Sequence, residues 1–105
     1  MHFVVISRDK TGMAERRAKT RPAHLDYMKR TSTPGQHIIG MPLATDDGAS
    51  MTGSLYIMEA PNRASAEHFA RHDPYAEAGI FATTEVIAIH PAFQADLARI
   101  LPKRE

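Results

Sequence analysis

Histidine is the side chain whose ordinary pKa lies nearest neutrality, so a search for proton-transfer chemistry begins with the 6 histidines of this chain. His24 stands in TRPAHLDYMKR, Thr20 to Arg30, shortly after a proline. Read locally, it is either an exposed residue one turn into an ordinary helix or a proton carrier aimed into a pocket. The neighbouring residues do not decide between the two. His68 and His72 are four apart on an expected helix, a spacing that a zinc pair uses in H-E-x-x-H. The residues between them are Phe-Ala-Arg, so the glutamate base is missing and no third ligand is evident. A solvated helix face with Glu67 and Arg71 is the plainer reading. His2 and His37 fall near strand ends and His90 abuts Pro91; all three read as structural or solvent-facing. Ser54, in Thr-Gly-Ser, is either a turn residue or a pocket hydroxyl that orients a ligand oxygen, and no G-x-S-x-G elbow marks it as a nucleophile. Asp73 precedes Pro74, which ordinarily means a turn or a helix cap. Gly12, Gly35, Gly48 and Gly53 lack phosphate-binding spacing.

The bulk of the chain excludes several classes. Its 105 residues suit one compact domain. Hydrophobic residues make up 43% and charged residues 24%, with a formal net charge of +1, the balance of an ordinary globular protein. Acids and bases are interleaved, Trp is absent and aromatics are 7%, which argues against a nucleic-acid interface. With no Cys, disulfides, thiolate metal sites and cysteine nucleophiles are excluded. No apolar run approaches the ~20 residues of a membrane span. MHFVVISRDK places its charge after a short apolar run, unlike a signal peptide, so it reads as a strand and the expected location is cytoplasmic.

The elements that must carry these side chains follow from pattern. HFVVIS, His2–Ser7, is β-branched and aromatic and predicts a first strand. Met13 to about Thr31 favours helix, with Pro22 as a breaker: a short helical turn, then a second helix from near Pro22 with Thr20 or Arg21 at its N-cap. TSTPG, Thr31–Gly35, is a stop signal. Gln36–Ala44 reads as a second strand made irregular or peripheral by Gly40 and Pro42, and Thr45–Gly53 as a loop. Ser54–Ala60 alternates as a third strand, with Leu55, Ile57 and Glu59 on one face and Tyr56 and Met58 on the other. PNRASAEHFARHD is a helix with Ala66 and Phe69 on its buried side. PYAEAGIF is a turn or short helical segment, Thr83–Pro91 a fourth strand, and Ala92–Leu101 a terminal amphipathic helix with Phe93, Leu97, Ile100 and Leu101 apolar. The order is β-α-β-β-α-β plus a tail helix, an α+β ferredoxin-like arrangement: one four-stranded antiparallel sheet with helices on one face. Apolar residues on both sheet faces leave one face uncovered, and the expected cover is the same face of a second copy, giving a homodimer.

RPAHLDYM near the start, TGS before the third strand and DPYAEAGIF before the last strand together resemble the YciI-like (YCII-related) family, over nearly the whole chain from HFVVISRDK to VIAIHP. The resemblance implies a single YciI-like domain over 1–105, a small ferredoxin-like fold, typically dimeric and related to the dimeric α/β-barrel proteins. It implies an active site built on a histidine and an aspartate, which His24 and Asp73 match, with Arg21 matching the arginine before the histidine and Ser54 the serine of the Gly-Ser pair. One relative is a dehydrochlorinase of a chlorinated, hydroxylated aromatic. This chain departs from the commoner pattern in GMPLATDDGAS, where either Asp46 or Asp47 is the family acid, and in a longer segment after Pro91 that would cover an edge or extend the dimer contact.

Physical chemistry gives that pair a use. An aspartate accepting the Nδ1 hydrogen of His24 fixes its tautomer and leaves Nε2 free for a substrate proton. Arg21, one turn from His24, would meet an anionic oxygen; Tyr75 would supply a wall or a phenolic hydrogen bond; Met41, Leu55 and Ile80 would line the remainder. The leading expectation is a small cofactor-independent enzyme, with no metal, performing elimination or isomerisation on a small polar or aromatic ligand. The rivals are a non-catalytic metabolite-binding or regulatory module and a purely structural dimerisation unit.

Overall fold

The computed structural model describes residues 1–31 and 38–101. Four strands form one sheet in the order β2-β3-β1-β4, built from β1 (His2–Asp9), β2 (Ile39–Ala44), β3 (Met51–Glu59) and β4 (Phe81–Ala88). Every pairing is antiparallel. Between them run α1 (Ala14–Thr31), α2 (Arg63–Arg71) and the single-turn α3 (Pro74–Glu77). This is the expected ferredoxin-like α+β arrangement.

Register decides which residues see the helices. Phe3 faces Met58, Val5 faces Tyr56 and Ser7 faces Ser54 across β1 and β3. All six are buried, because residues directly opposite share a face. Ala66, Phe69 and Ala70 of α2 join this core, with Tyr27 and Met28 of α1 packed against it. Each large apolar side chain so enclosed contributes about 1.5–3 kcal/mol. The alternate residues Val4, Ile6, Leu55 and Ile57 face the other way and are only partly buried. The alternation expected of Leu55 to Glu59 is the one observed.

Four expectations about elements change. α1 is one unbroken helix of 18 residues with Pro22 inside it. Proline removes one i→i−4 hydrogen bond, but long-range contacts on both sides of Pro22 hold the helix: Arg17 pairs with Asp9 before it, and Tyr27 donates to the Phe69 carbonyl after it. Neither Thr20 nor Arg21 is accordingly a cap; both lie mid-helix, and the Thr20 hydroxyl donates to the Arg16 carbonyl at 2.8 Å. β3 begins at Met51 and β4 at Phe81, both earlier than expected, since ladder pairing extends them beyond the apolar stretch; β4 ends at Ala88, short of the expected Pro91. The terminal segment is a 3-10 turn over Pro91–Phe93 and a four-residue α4, Gln94–Leu97, not one long helix. Leu97 is buried whereas Phe93 and Ile100 are exposed, and a short helix with so little to pack on does not propagate. The start of the expected second strand, Gln36 and His37, and most of the stop signal before it lie outside the described residues.

Gly53 is required by close approach: a Cβ there would collide with the backbone carbonyl oxygen of Ser7. Because backbone cannot swing aside as a side chain can, Gly53→Ala is expected to cost about 1–3 kcal/mol, read as a lowered urea midpoint with an unchanged m-value.

Candidate functional site

α1 carries the first half of the site. Arg17, Arg21, His24 and Met28 recur at spacings that hold them to one face of the helix, and all four line a cavity of about 230 Å³ between α1 and the β2–β3 end of the sheet. Met41, Pro42, Ser54, Leu55 and Tyr75 also line it.

α3 carries the second half. Asp73 is its N-cap, with Oδ1 accepting from the Tyr75 amide at 2.9 Å, and Pro74 sits at the first helical position, where no donor is needed. The same Oδ1 lies 2.8 Å from Nδ1 of His24, 49 residues away in sequence. A carboxylate oxygen accepts, so this bond requires the hydrogen on Nδ1; in the neutral imidazole Nε2 is then the acceptor. The Asp73 side chain is 2% exposed and that of His24 is 13% exposed. Tyr75 completes the seat: its ring stacks on the imidazole with centroids 4.0 Å apart.

Sequence reasoning missed the charge beneath this arrangement. Arg17 is buried and donates through Nε to Oδ2 of Asp9 at 2.8 Å and through Nη2 to Oγ of Ser54 at 2.7 Å. Its guanidinium carbon also lies 4.4 Å from the centre of the Tyr75 ring, a cation–π distance. The buried ion pair therefore fixes Ser54 and supports the residue on which His24 rests. The i, i+4, i+7 run of Arg17, Arg21 and His24 was the signal that could have found it. Burial raises the Tyr75 pKa, with the Arg17 and Arg21 charges pulling the other way. Tyr27 is pushed up to about 12, first by burial and then by the carboxylates of Asp73 and Glu77. Burial raises Tyr56 as well. These phenols stay protonated at neutral pH. The Tyr56 hydroxyl and Oδ1 of Asp9 are buried without hydrogen-bond partners among the described residues.

The remaining expected residues sort cleanly. Arg21, Ser54, Tyr75 and Met41 all reach the cavity, as does Leu55. Ile80 does not; it is fully buried and its amide donates to the Tyr75 carbonyl. Neither Asp46 nor Asp47 lines the cavity. Asp47 instead ties its own loop, accepting from the Thr45 hydroxyl and the Ala49 amide, and the first of these bonds holds its carboxyl below the usual range. His72 caps α2, with Nδ1 2.8 Å from the His68 carbonyl oxygen, and no third metal donor joins the pair among the described residues. His2 is buried, and His90 accepts from the Ala92 amide. Among the described residues no helix is long and apolar enough to cross a membrane.

The YCII-related domain model matches residues 1–90. The chain belongs to the YCII-related domain family. Protein YciI of Escherichia coli O6:H1 is 32% identical over 96 residues, covering 87% of this chain and 95% of that protein. An uncharacterized protein of Haemophilus influenzae is 32% identical over 87 residues, covering 78% of this chain and 89% of its own. Among solved structures, the YCII-family member is similar to 5-chloro-2-hydroxyhydroquinone dehydrochlorinase (TftG) from Burkholderia phenoliruptrix in complex with 2,5-dihydroxybenzoquinone. The TM-score is 0.75 and the identity 31%, over 86% of this chain and 94% of that one.

Removing one partner of a buried ion pair leaves the other charge uncompensated, at a cost of about 3–5 kcal/mol. Arg17→Ala is therefore expected to lower the denaturation midpoint far more than Arg21→Ala, whose side chain is exposed, and thermal melts of the two variants compare them directly.

Proposed function

We propose that this protein is a small enzyme needing no cofactor, in which His24 transfers a proton and Asp73 positions it. The observation that carries this reading is the 2.8 Å contact between His24 Nδ1 and Asp73 Oδ1 at the wall of a cavity. With Nδ1 engaged, Nε2 serves as general base toward a bound ligand. In an elimination, Nε2 takes the proton, the electron pair left behind forms a new double bond, and the leaving group departs with its own pair. Arg21 and Ser54 bind ligand oxygens, and Tyr75 and Met41 form the walls. A cavity of roughly 150 Å³ holds a benzene ring, so one of about 230 Å³ suits a single substituted ring. The likeness to a dehydrochlorinase bound to a dihydroxylated quinone supports elimination on such a ring over other proton transfers.

A non-catalytic metabolite-binding module is the rival reading. It draws support from the capping bond of Asp73 to the Tyr75 amide, which gives the carboxylate a structural task without catalysis. The two separate in one experiment. With a panel of hydroxylated and halogenated aromatics, His24→Asn is expected to reduce turnover at least a hundredfold, in line with the 10²–10⁴-fold typical of a general base, while ligand binding persists. Unchanged turnover in that variant removes His24 from the mechanism; binding without turnover in the wild type favours the module.

We further propose that the chain works as a homodimer through its open sheet face. Val4, Ile6, Leu55 and Ile57 form a continuous, partly buried apolar surface there, flanked by Ile87 at 45% exposure, the kind of patch that marks an interface. Ile57→Asp is expected to shift the sedimentation velocity from dimer to monomer.

A further inference from the structure

The polar groups around the cavity are heavily biased toward donors. Arg17, Arg21 and Lys29 all line it, and no Asp or Glu does. Arg17 is neutralised by Asp9, whereas Arg21 and Lys29 have no ion pair among the described residues. Guanidinium and ammonium groups donate only. Ser54 already accepts from Arg17 at 2.7 Å, so its own hydroxyl hydrogen is free to donate outward. A hydroxyl polarised by a neighbouring cation is the better donor for it. His24 presents the opposite: with Nδ1 directed at Asp73, the Nε2 of its neutral ring is an acceptor.

We infer that the ligand is a small ring anion, carrying one acidic hydroxyl for His24 and, elsewhere on the ring, an anionic oxygen group for Arg21 and Ser54. The assignment of the hydroxyl rests on the proposed role of His24; the assignment of the charge does not. A neutral hydroxyl can accept from these donors, but it leaves the charges of Arg21 and Lys29 uncompensated and makes a weaker bond with each than an ionised oxygen does. A cationic ligand meets Arg21 and Lys29 with no acid in the wall to offset them. An anion satisfies both groups, and a carboxylate matches the planar fork of Arg21. The cavity volume and the apolar Met28 and Ile38 in its lining suit a ligand body of one ring.

Three probes sharing a ring hydroxyl test this by calorimetry on the full chain: 4-hydroxybenzoate with an anionic head, 4-hydroxybenzyl alcohol with a neutral one, and tyramine with a cationic one. The benzoate is expected to bind at least tenfold more tightly than the alcohol, tyramine weakest, and the gap to narrow as salt is raised from 50 to 500 mM, as screening requires. Arg21→Gln is expected to remove most of the benzoate's advantage, weakening the benzoate far more than the alcohol. Equal affinities for the three probes, no measurable binding of the benzoate, or an unchanged ratio in Arg21→Gln would overturn the inference. His24→Asn separates the two readings: it is expected to keep the benzoate's preference over the alcohol whatever becomes of turnover. Loss of that preference in His24→Asn would show that the imidazole, not the Arg21 end, selects the charge, and would overturn the inference too.

Discussion

One carboxylate oxygen, Oδ1 of Asp73, joins two tasks that are usually separate. It caps the first turn of α3 through the Tyr75 amide, and it meets the imidazole of His24 on α1. The first bond sets where the carboxylate stands, and the second sets where the ring stands relative to it. Tyr75 then returns the support, since the residue whose amide is capped is also the one whose ring stacks on the imidazole. Position is thus enforced from both the edge and the face of the ring, by groups that are nearly fully buried. A hydrogen bond held in such surroundings is less easily lost to competing water than one at the surface.

Beneath Tyr75 lies a second constraint. The Asp9–Arg17 pair links the end of β1 to the first turns of α1, and Arg17 continues to Ser54 on β3. A buried ion pair of this kind adds little net stability, because desolvation offsets the Coulomb attraction. Its contribution is geometric: strand, helix and neighbouring strand are referenced to one planar guanidinium. The cavity between them inherits a fixed floor, which a ligand bound there would not have to order.

The fold was largely legible in the sequence, and the reasons are local. The β-branched and aromatic run marked β1, alternation sorted the residues of β3 onto two faces, and Asp-Pro marked a turn or helix cap where α3 begins. The errors arose where distant contacts overrule local preference. Pro22 looked like a helix end because its missing amide is visible in sequence, whereas the Arg17 and Tyr27 contacts that carry the helix across it are not. The tail looked like an amphipathic helix because its apolar spacing is right, but spacing cannot say whether a surface waits to receive it. At the site, His24, Asp73, Arg21 and Ser54 came from the family resemblance and not from their neighbours in the chain. Arg17 and Asp9 were passed over because a charged residue in a run such as ERRAK ordinarily means solvent, and only the folded sheet reveals that one of them points inward.

The edges of the sheet are poor templates for another strand. β2 ends one side and contains Pro42, which has no amide hydrogen to offer an incoming strand. β4 ends the other, where Arg63 already occupies the Val86 carbonyl. A strand approaching either border finds the hydrogen-bonding rail interrupted. Growth by strand addition, the route to open-ended fibres, is therefore discouraged at both ends. Backbone pairing, which takes no account of side-chain identity, is thus blunted where the sheet would otherwise offer a template to any extended chain.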